Sequence, residues 1–122
     1  MADGENLKPV IWIGSSLLDL KEFPLEVQSD LGYALYFAQT NLKHPKAKPL
    51  KGFKGASVLE IVEDYDGDTY RAVYTVKLAG VVYVLHVFQK KSKHGIATPR
   101  QDIELIEKRL KLALEFNQEN YE

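Results

Sequence analysis

Apolar residues recur along this chain in two rhythms, and the switches between them divide it into elements. Val10 to Ile13 is a β-branched and aromatic run ended by Gly14, which predicts a short strand. Ser15 or Ser16 then caps a short helix over Leu17, Leu18 and Leu20. Pro24 fits the first turn of the next helix, where its missing N–H costs nothing. From there Val27, Leu31, Ala34, Leu35, Ala38 and Leu42 recur at three- and four-residue spacing, the pattern of one buried helical face. His44-Pro45 ends it, because the residue before a proline is pushed out of the α region. The expectation is a helical hairpin over residues 15–42, followed by a loop at 43–54 in which Leu50 and Phe53 are anchors.

The rhythm then changes to two. Val58 to Glu63 reads as a strand, Asp66-Gly67 as a tight hairpin turn, and residues 70–78 and 81–90 as two more strands joined through Ala79-Gly80. Thr98 and Pro99 supply a cap and a first helical residue. Ile103, Ile106, Leu110 and Ala113 or Leu114 form the apolar stripe of a last helix expected to fray near Asn117. The predicted fold is α+β. A small antiparallel sheet, made of a short N-terminal strand plus a three-strand meander, is packed by an N-terminal helical hairpin and a C-terminal helix. Residues 1–122 make a single domain, long enough to bury a core without staples.

Strand register decides which polar side chains meet. Matching the apolar parity of 70–78 (Tyr70, Ala72, Tyr74, Val76, Leu78) to that of 81–90 (Val81, Tyr83, Leu85, Val87) requires an even loop. Arg71 then falls opposite Phe88, with His86 and Lys90 diagonal to it. The same reasoning through Asp66-Gly67 sets Val62 opposite Arg71 and Glu60 diagonal. One face is thus expected to hold Arg71, His86, Phe88, Lys90 and Glu60.

Composition changes this picture in two ways. The chain is 45% apolar and 27% charged, ordinary for a soluble domain, and has no cysteine, which excludes disulfides and thiolate chemistry. No apolar run is long enough to span a bilayer, and the first residues lack a signal-peptide pattern, so a cytoplasmic location without membrane partners is expected. The net charge of −1 hides a segregation. Residues 43–54 carry Lys43, Lys46, Lys48, Lys51 and Lys54 and no acid, and residues 60–68 carry five acids and no base. Residues 89–100 are basic again through Lys90, Lys91, Lys93 and Arg100. Two basic segments can converge into one positive surface.

A guanidinium, an imidazole, an ammonium and an aromatic plane are the parts needed to grip a phosphodiester and stack a base. The plainer alternative is a core hairpin with a solvated charged exit, with His86 a satisfied core residue and Glu60 the ion-pair partner of Arg71. No metal or other cofactor is expected: the three histidines are scattered. Asp64, Asp66, Gly67 and Asp68 read as a turn rather than a calcium loop, because position twelve is Thr75 instead of glutamate.

YRAVY on one strand, VYVLHVFQKKSK on the next and a proline-led terminal helix resemble the RelE/ParE toxin superfamily. The branch they are most similar to is the phage-derived, HigB-like group of type II toxin–antitoxin systems. The resemblance runs from WIGSSLLDLKEFP through AKPLKGF to ATPRQDIELIEKRL. It implies a small α+β toxin held by a cognate helix-turn-helix antitoxin, acting on mRNA in the ribosome without a metal. In that chemistry a ribose 2′-hydroxyl attacks the adjacent phosphate, while basic groups stabilise the transition state and protonate the leaving 5′-oxygen. Arg71 matches the strand arginine, Lys90 and Lys91 the basic pair ending the last strand, and His86 the LH-x-F element. Lys48, Lys51, Lys54, Lys93 and Phe88 are the expected RNA contacts. The chain departs from RelE in carrying Glu60, Val62 and Glu63 where RelE has lysines, so the proton-transfer role passes to His86, Glu60 or a tail lysine.

Three functions compete at this point. The first is a ribosome-dependent mRNA endonuclease, which Arg71 and the lysine tail favour. The second is a ParE-like inhibitor of a topoisomerase acting by protein contacts, and the third a non-catalytic RNA- or protein-binding module.

Overall fold

In the computed structural model, residues 7–53, 57–78, 80–90 and 98–122 are described. Lys54, Lys91 and Lys93 lie outside them, as does Ala79 in the expected turn; Lys90 is described as backbone only. The elements are β1 (Val10–Trp12), α1 (Ser16–Lys21), α2 (Leu25–Gln39), β2 (Lys48–Pro49), β3 (Val58–Tyr65), β4 (Asp68–Thr75), β5 (Val82–Lys90) and α3 (Arg100–Tyr121). They build one sheet of order β1-β5-β4-β3-β2, in which β1 runs parallel to β5 and every other pairing is antiparallel. The predicted α+β architecture is present.

Helices cover both faces of the sheet, and this explains the near-continuous apolar character of β4 and β5. On one face Val27, Leu31, Ala34, Leu35 and Ala38 of α2 and Leu20 of α1 pack on Leu59, Ile61, Ala72, Tyr74, Val84 and Val87. On the other, Ile106 and Ala113 of α3 pack on Val58, Val73, Tyr83, Leu85 and Leu50. Arg71 and Glu60 stand on the α3 face, just beyond the end of that second core.

The β3–β4 turn is set by Asp66 and Gly67, with φ of 51° and 86°. Two consecutive left-handed residues suit the twist of the flanking strands, and the pair delivers the expected register of Val62 opposite Arg71.

Several boundaries differ from the sequence reading, each for a local reason. Lys48 and Pro49 form a strand rather than a loop, pinned between buried Ala47 and Leu50, and the Leu50 amide continues the ladder to the Val58 carbonyl at 3.0 Å. The helix α2 stops at Gln39, where Asn41 turns left-handed at φ 67°, so Leu42 is 62% exposed instead of completing the buried face. Pro99, not Thr98, is the cap of α3, and its carbonyl accepts from the Asp102 and Ile103 amides. The helix continues through Asn117 to Tyr121 because Asn117 is buried. Its side-chain oxygen accepts from the Tyr83 hydroxyl at 2.9 Å, and its amide donates to the Glu122 carboxylate at 2.8 Å.

The largest difference lies in β5. The ladder runs Arg71 opposite Phe88, Ala72 opposite Val87 and Val73 opposite His86, then shifts by one so that Tyr74 faces Val84. Leu85 is the extra residue of a β-bulge. Both Leu85 and His86 therefore face α3, and the expected single apolar parity of Tyr83, Leu85 and Val87 is split, with Val87 on the opposite face.

Candidate phosphate cleft

The register of the three long strands brings a carboxylate and a guanidinium together on the α3 face. Arg71 Nη1 donates to Glu60 Oε1 at 2.9 Å, with the residues 7% and 8% exposed. The same nitrogen reaches the Thr98 hydroxyl at 3.5 Å, a long contact at the margin of a hydrogen bond. Arg71 Nε is buried and has no partner among the described residues. An unsatisfied buried donor of this kind costs about 1–3 kcal/mol. Arg71 is closed onto Glu60 at the floor of a cleft, so the ion pair of the plainer sequence reading is present.

That cleft, about 610 Å³, lies between β2, the α3-facing side of β3 and β4, and the start of α3. Lys48, Lys51, Glu60, Arg71, Thr98 and Ile103 line it, with Leu50 and Val62 among the apolar residues. Three cations and one carboxylate give it a positive balance. Lys48 and Lys51 are exposed at the rim, and neither forms an ion pair among the described residues. Lys48 and Lys51 of the lysine-rich segment thus lie at the sheet edge beside Arg71. Lys46 is drawn away from the rim by Glu63, at 3.0 Å, which raises its pKa above the ordinary lysine value.

His86 and Phe88 share the α3 face but do not line the cleft. The two rings stack with centroids 4.4 Å apart and 14° between planes, so one face of Phe88 is covered by the imidazole. His86 is 6% exposed, and its Nε2 lies 2.7 Å from Asp102 Oδ1 in the first turn of α3. Burial pushes the His86 pKa below the usual histidine value, more than the Asp102 hydrogen bond and charge pull it up; Arg109 lowers it further and Asp19 opposes. Burial thus favours the neutral imidazole, the form in which Nε2–H donates to the carboxylate.

Asp102, Thr98 and Arg109 were not singled out in the sequence as site residues. Asp102 sits four residues before Ile106, on the flank of the buried stripe, and that phase was the one signal available. Arg109 donates to the Leu85 carbonyl at 3.0 Å and to Ser15 Oγ at 3.2 Å, so it satisfies the bulge and ties α3 to α1. Among the described residues no cluster of three or more His, Asp or Glu side chains could hold a metal ion.

The family description "Phage derived protein Gp49-like (DUF891)" matches residues 18–111. The chain belongs to the phage-derived Gp49-like family. The Gp49-like chain is also similar to a mutant of the Escherichia coli toxin RelE in the free state, with a TM-score of 0.54 at 18% identity over 86% of this chain and 96% of that one. A weaker similarity is to the toxin–antitoxin complex RelBE2 of Mycobacterium tuberculosis, with a TM-score of 0.43 at 20% identity over 70% and 94% of the two chains. No curated protein matches the chain in sequence. The expected phage-derived branch is borne out by the Gp49-like match, and the expected RelE-like fold by the likeness to RelE.

Proposed function

We propose that this Gp49-like protein is the toxin of a type II toxin–antitoxin system, and that it cuts mRNA on the ribosome without a metal ion. The observation that carries the reading is the cleft: a strand arginine at its floor, two lysines at its rim that are unpaired among the described residues, and one carboxylate within reach of the arginine. It stands in a chain whose fold is that of RelE, a protein described as a toxin. A cleft with this charge suits a single-stranded RNA backbone, and phosphate contacts there position the strand without reading its sequence.

In the proposed reaction a ribose 2′-hydroxyl attacks the adjacent phosphorus and the bond to the 5′-oxygen breaks, leaving a 2′,3′-cyclic phosphate and a 5′-hydroxyl. One proton leaves the 2′-oxygen and one arrives at the 5′-oxygen, so the protein needs an acceptor, a donor and a stabiliser of developing negative charge. Arg71 is the stabiliser. Glu60 is favoured over His86 as the acceptor, because Glu60 lines the cleft and His86 is stacked on Phe88 and bonded to Asp102 outside it. Lys90, which ends β5, and Lys91, outside the described residues, are given the donor role on the family resemblance. Lys48 and Lys51, with Lys54 and Lys93, are the proposed phosphate contacts. A cognate helix-turn-helix antitoxin, the ribosome and mRNA are the proposed partners, in the cytoplasm.

Induced expression followed by mapping of mRNA 5′ ends on ribosomes tests the reading. Cleavage within translated frames, lost in Arg71→Lys, is expected. Growth inhibition with intact mRNA and relaxed DNA topology would replace it with topoisomerase inhibition.

A further inference from the structure

Arg71 is the group that a phosphate would seek in this cleft, yet its guanidinium is already occupied by Glu60 at 2.9 Å and shielded from solvent. The occupation is incomplete. Among the described residues only Nη1 is engaged, the Thr98 contact is long, and Nε is buried without a partner. A guanidinium fork is matched by two oxygens at once, so a carboxylate using one nitrogen leaves much of its capacity unused.

The ladder also provides a second place for the carboxylate. Lys48 of β2 lies directly opposite Glu60 of β3, and directly opposed residues share a face, with Cβ atoms about 4.5–5.5 Å apart. Lys48 lines the same cleft, is exposed and has no ion-pair partner among the described residues. Glu60 thus stands between two cations, Arg71 buried and taken, Lys48 exposed and unpaired among the described residues.

We propose that Glu60 gates the cleft: in the ligand-free protein its carboxylate holds Arg71, and an entering phosphodiester takes Arg71 over while Glu60 turns to Lys48. The gate rests on the phosphate-handling reading above and concerns the control of that site. A phosphate group fits the exchange because it offers several oxygens to the guanidinium fork, including to the nitrogen that Glu60 leaves unbonded. The exchange leaves Glu60 paired rather than stranded, which keeps a buried carboxylate from opposing ligand entry. An anion that cannot bind two nitrogens at once has little advantage over the resident carboxylate, so chloride should not open the gate.

The test uses inorganic phosphate and the full chain, with no ribosome present. Binding is followed by NMR at the Arg71 Nε–H in wild type and in Glu60→Gln. Glu60→Gln should bind phosphate about tenfold more tightly, the scale of one charge-assisted hydrogen bond no longer competed for. Equal or weaker binding, or no binding by either protein, overturns the gate. If Glu60→Gln does not fold, Lys48→Ala and Lys51→Ala decide. Loss of Lys48 should weaken phosphate binding more than loss of Lys51, because it removes the acceptor of the released carboxylate; equal losses overturn the gate. Gated phosphate binding by a protein that leaves ribosomal mRNA intact would sink the endonuclease and spare the gate. Cleavage of mRNA by a protein whose Glu60→Gln variant binds phosphate no better would do the reverse.

Discussion

His86 on β5 and Asp102 in the first turn of α3 are 2.7 Å apart, and this pair fixes the start of α3 above the sheet. Thr98 and Ile103, on either side of that first turn, line the cleft. Burial holds the His86 pKa below its ordinary value, so the folded protein binds this proton less readily than the unfolded chain. The contribution of a neutral His86 to stability is therefore fully present above the unfolded value of about 6.5, and it is lost as pH falls through the lower folded value. Urea midpoints measured between pH 5 and 8 should drop on the acidic side for wild type. His86→Gln should remove that part of the dependence, and a wild-type midpoint that rises on acidification would contradict the assignment. Asp102→Asn should push the His86 titration lower still, since Asp102 is the main group raising it.

Arg71 and Glu60 make a second prediction, about stability rather than activity. Removing one partner of a buried ion pair strands the other, at a cost of about 3–5 kcal/mol. Arg71→Ala should therefore be strongly destabilised in urea, whereas Arg71→Met with Glu60→Leu should recover most of the loss. Activity comparisons at this position are better made with Arg71→Lys, which keeps a cation near Glu60 but lacks the planar fork. A fully stable Arg71→Ala protein would mean that the pair does not persist in solution.

The position of Arg71 shows how much of the site was legible. Its partners Phe88 and Val62 followed from apolar parity and the Asp66-Gly67 turn, and both are found. That argument assumed one unbroken register; near the turn Tyr74 faces Val84 and Thr75 faces Tyr83, one step off it, and the bulge at Leu85, between the turn and Arg71, restores the expected pairing at the Arg71 end. A bulge leaves no mark in hydropathy when both faces of the strand are buried, as they are along β5. Its support is Arg109, 24 residues away, and no local spacing relates that side chain to the Leu85 carbonyl. The same limit hid Asp102 from His86. Residues 43–54 were read from Pro and Gly as a loop, whereas two exposed residues of that segment add a strand because the buried Leu50 beside them anchors it.

Arg109 carries the third prediction. Its guanidinium satisfies the Leu85 carbonyl and lies against Gly14, where an added Cβ would meet it at 2.8 Å. Gly14 has φ +60°, so Gly14→Ala combines backbone strain with displacement of that side chain. Arg109→Leu should cost about 1–3 kcal/mol through the unsatisfied buried carbonyl. If Gly14→Ala acts through Arg109, the two losses should add to less than their sum in the double variant. Full additivity in denaturation would separate the two positions.

The lysine rim carries the last prediction, and it bears directly on the proposed function. Lys48 and Lys51 line the cleft with Arg71, and both are exposed and unpaired among the described residues. Lysines that contact phosphates release counterions on binding, so affinity falls with salt at a slope close to the number of contacts. Replacing both with alanine should flatten the slope for ribosome or RNA binding by roughly one charge's worth, that of Lys51, because Lys48 takes the carboxylate that Glu60 releases. The cut sites should stay the same, because backbone contacts position the strand while base contacts choose it. Lys46 is the internal control: its ammonium is held by Glu63, so Lys46→Ala should change the slope less than Lys51→Ala. Parallel salt plots for wild type and Lys48→Ala/Lys51→Ala would mean that the rim never touches phosphate. In that case the cleft would have to draw its affinity from Arg71 and the end of β5 alone.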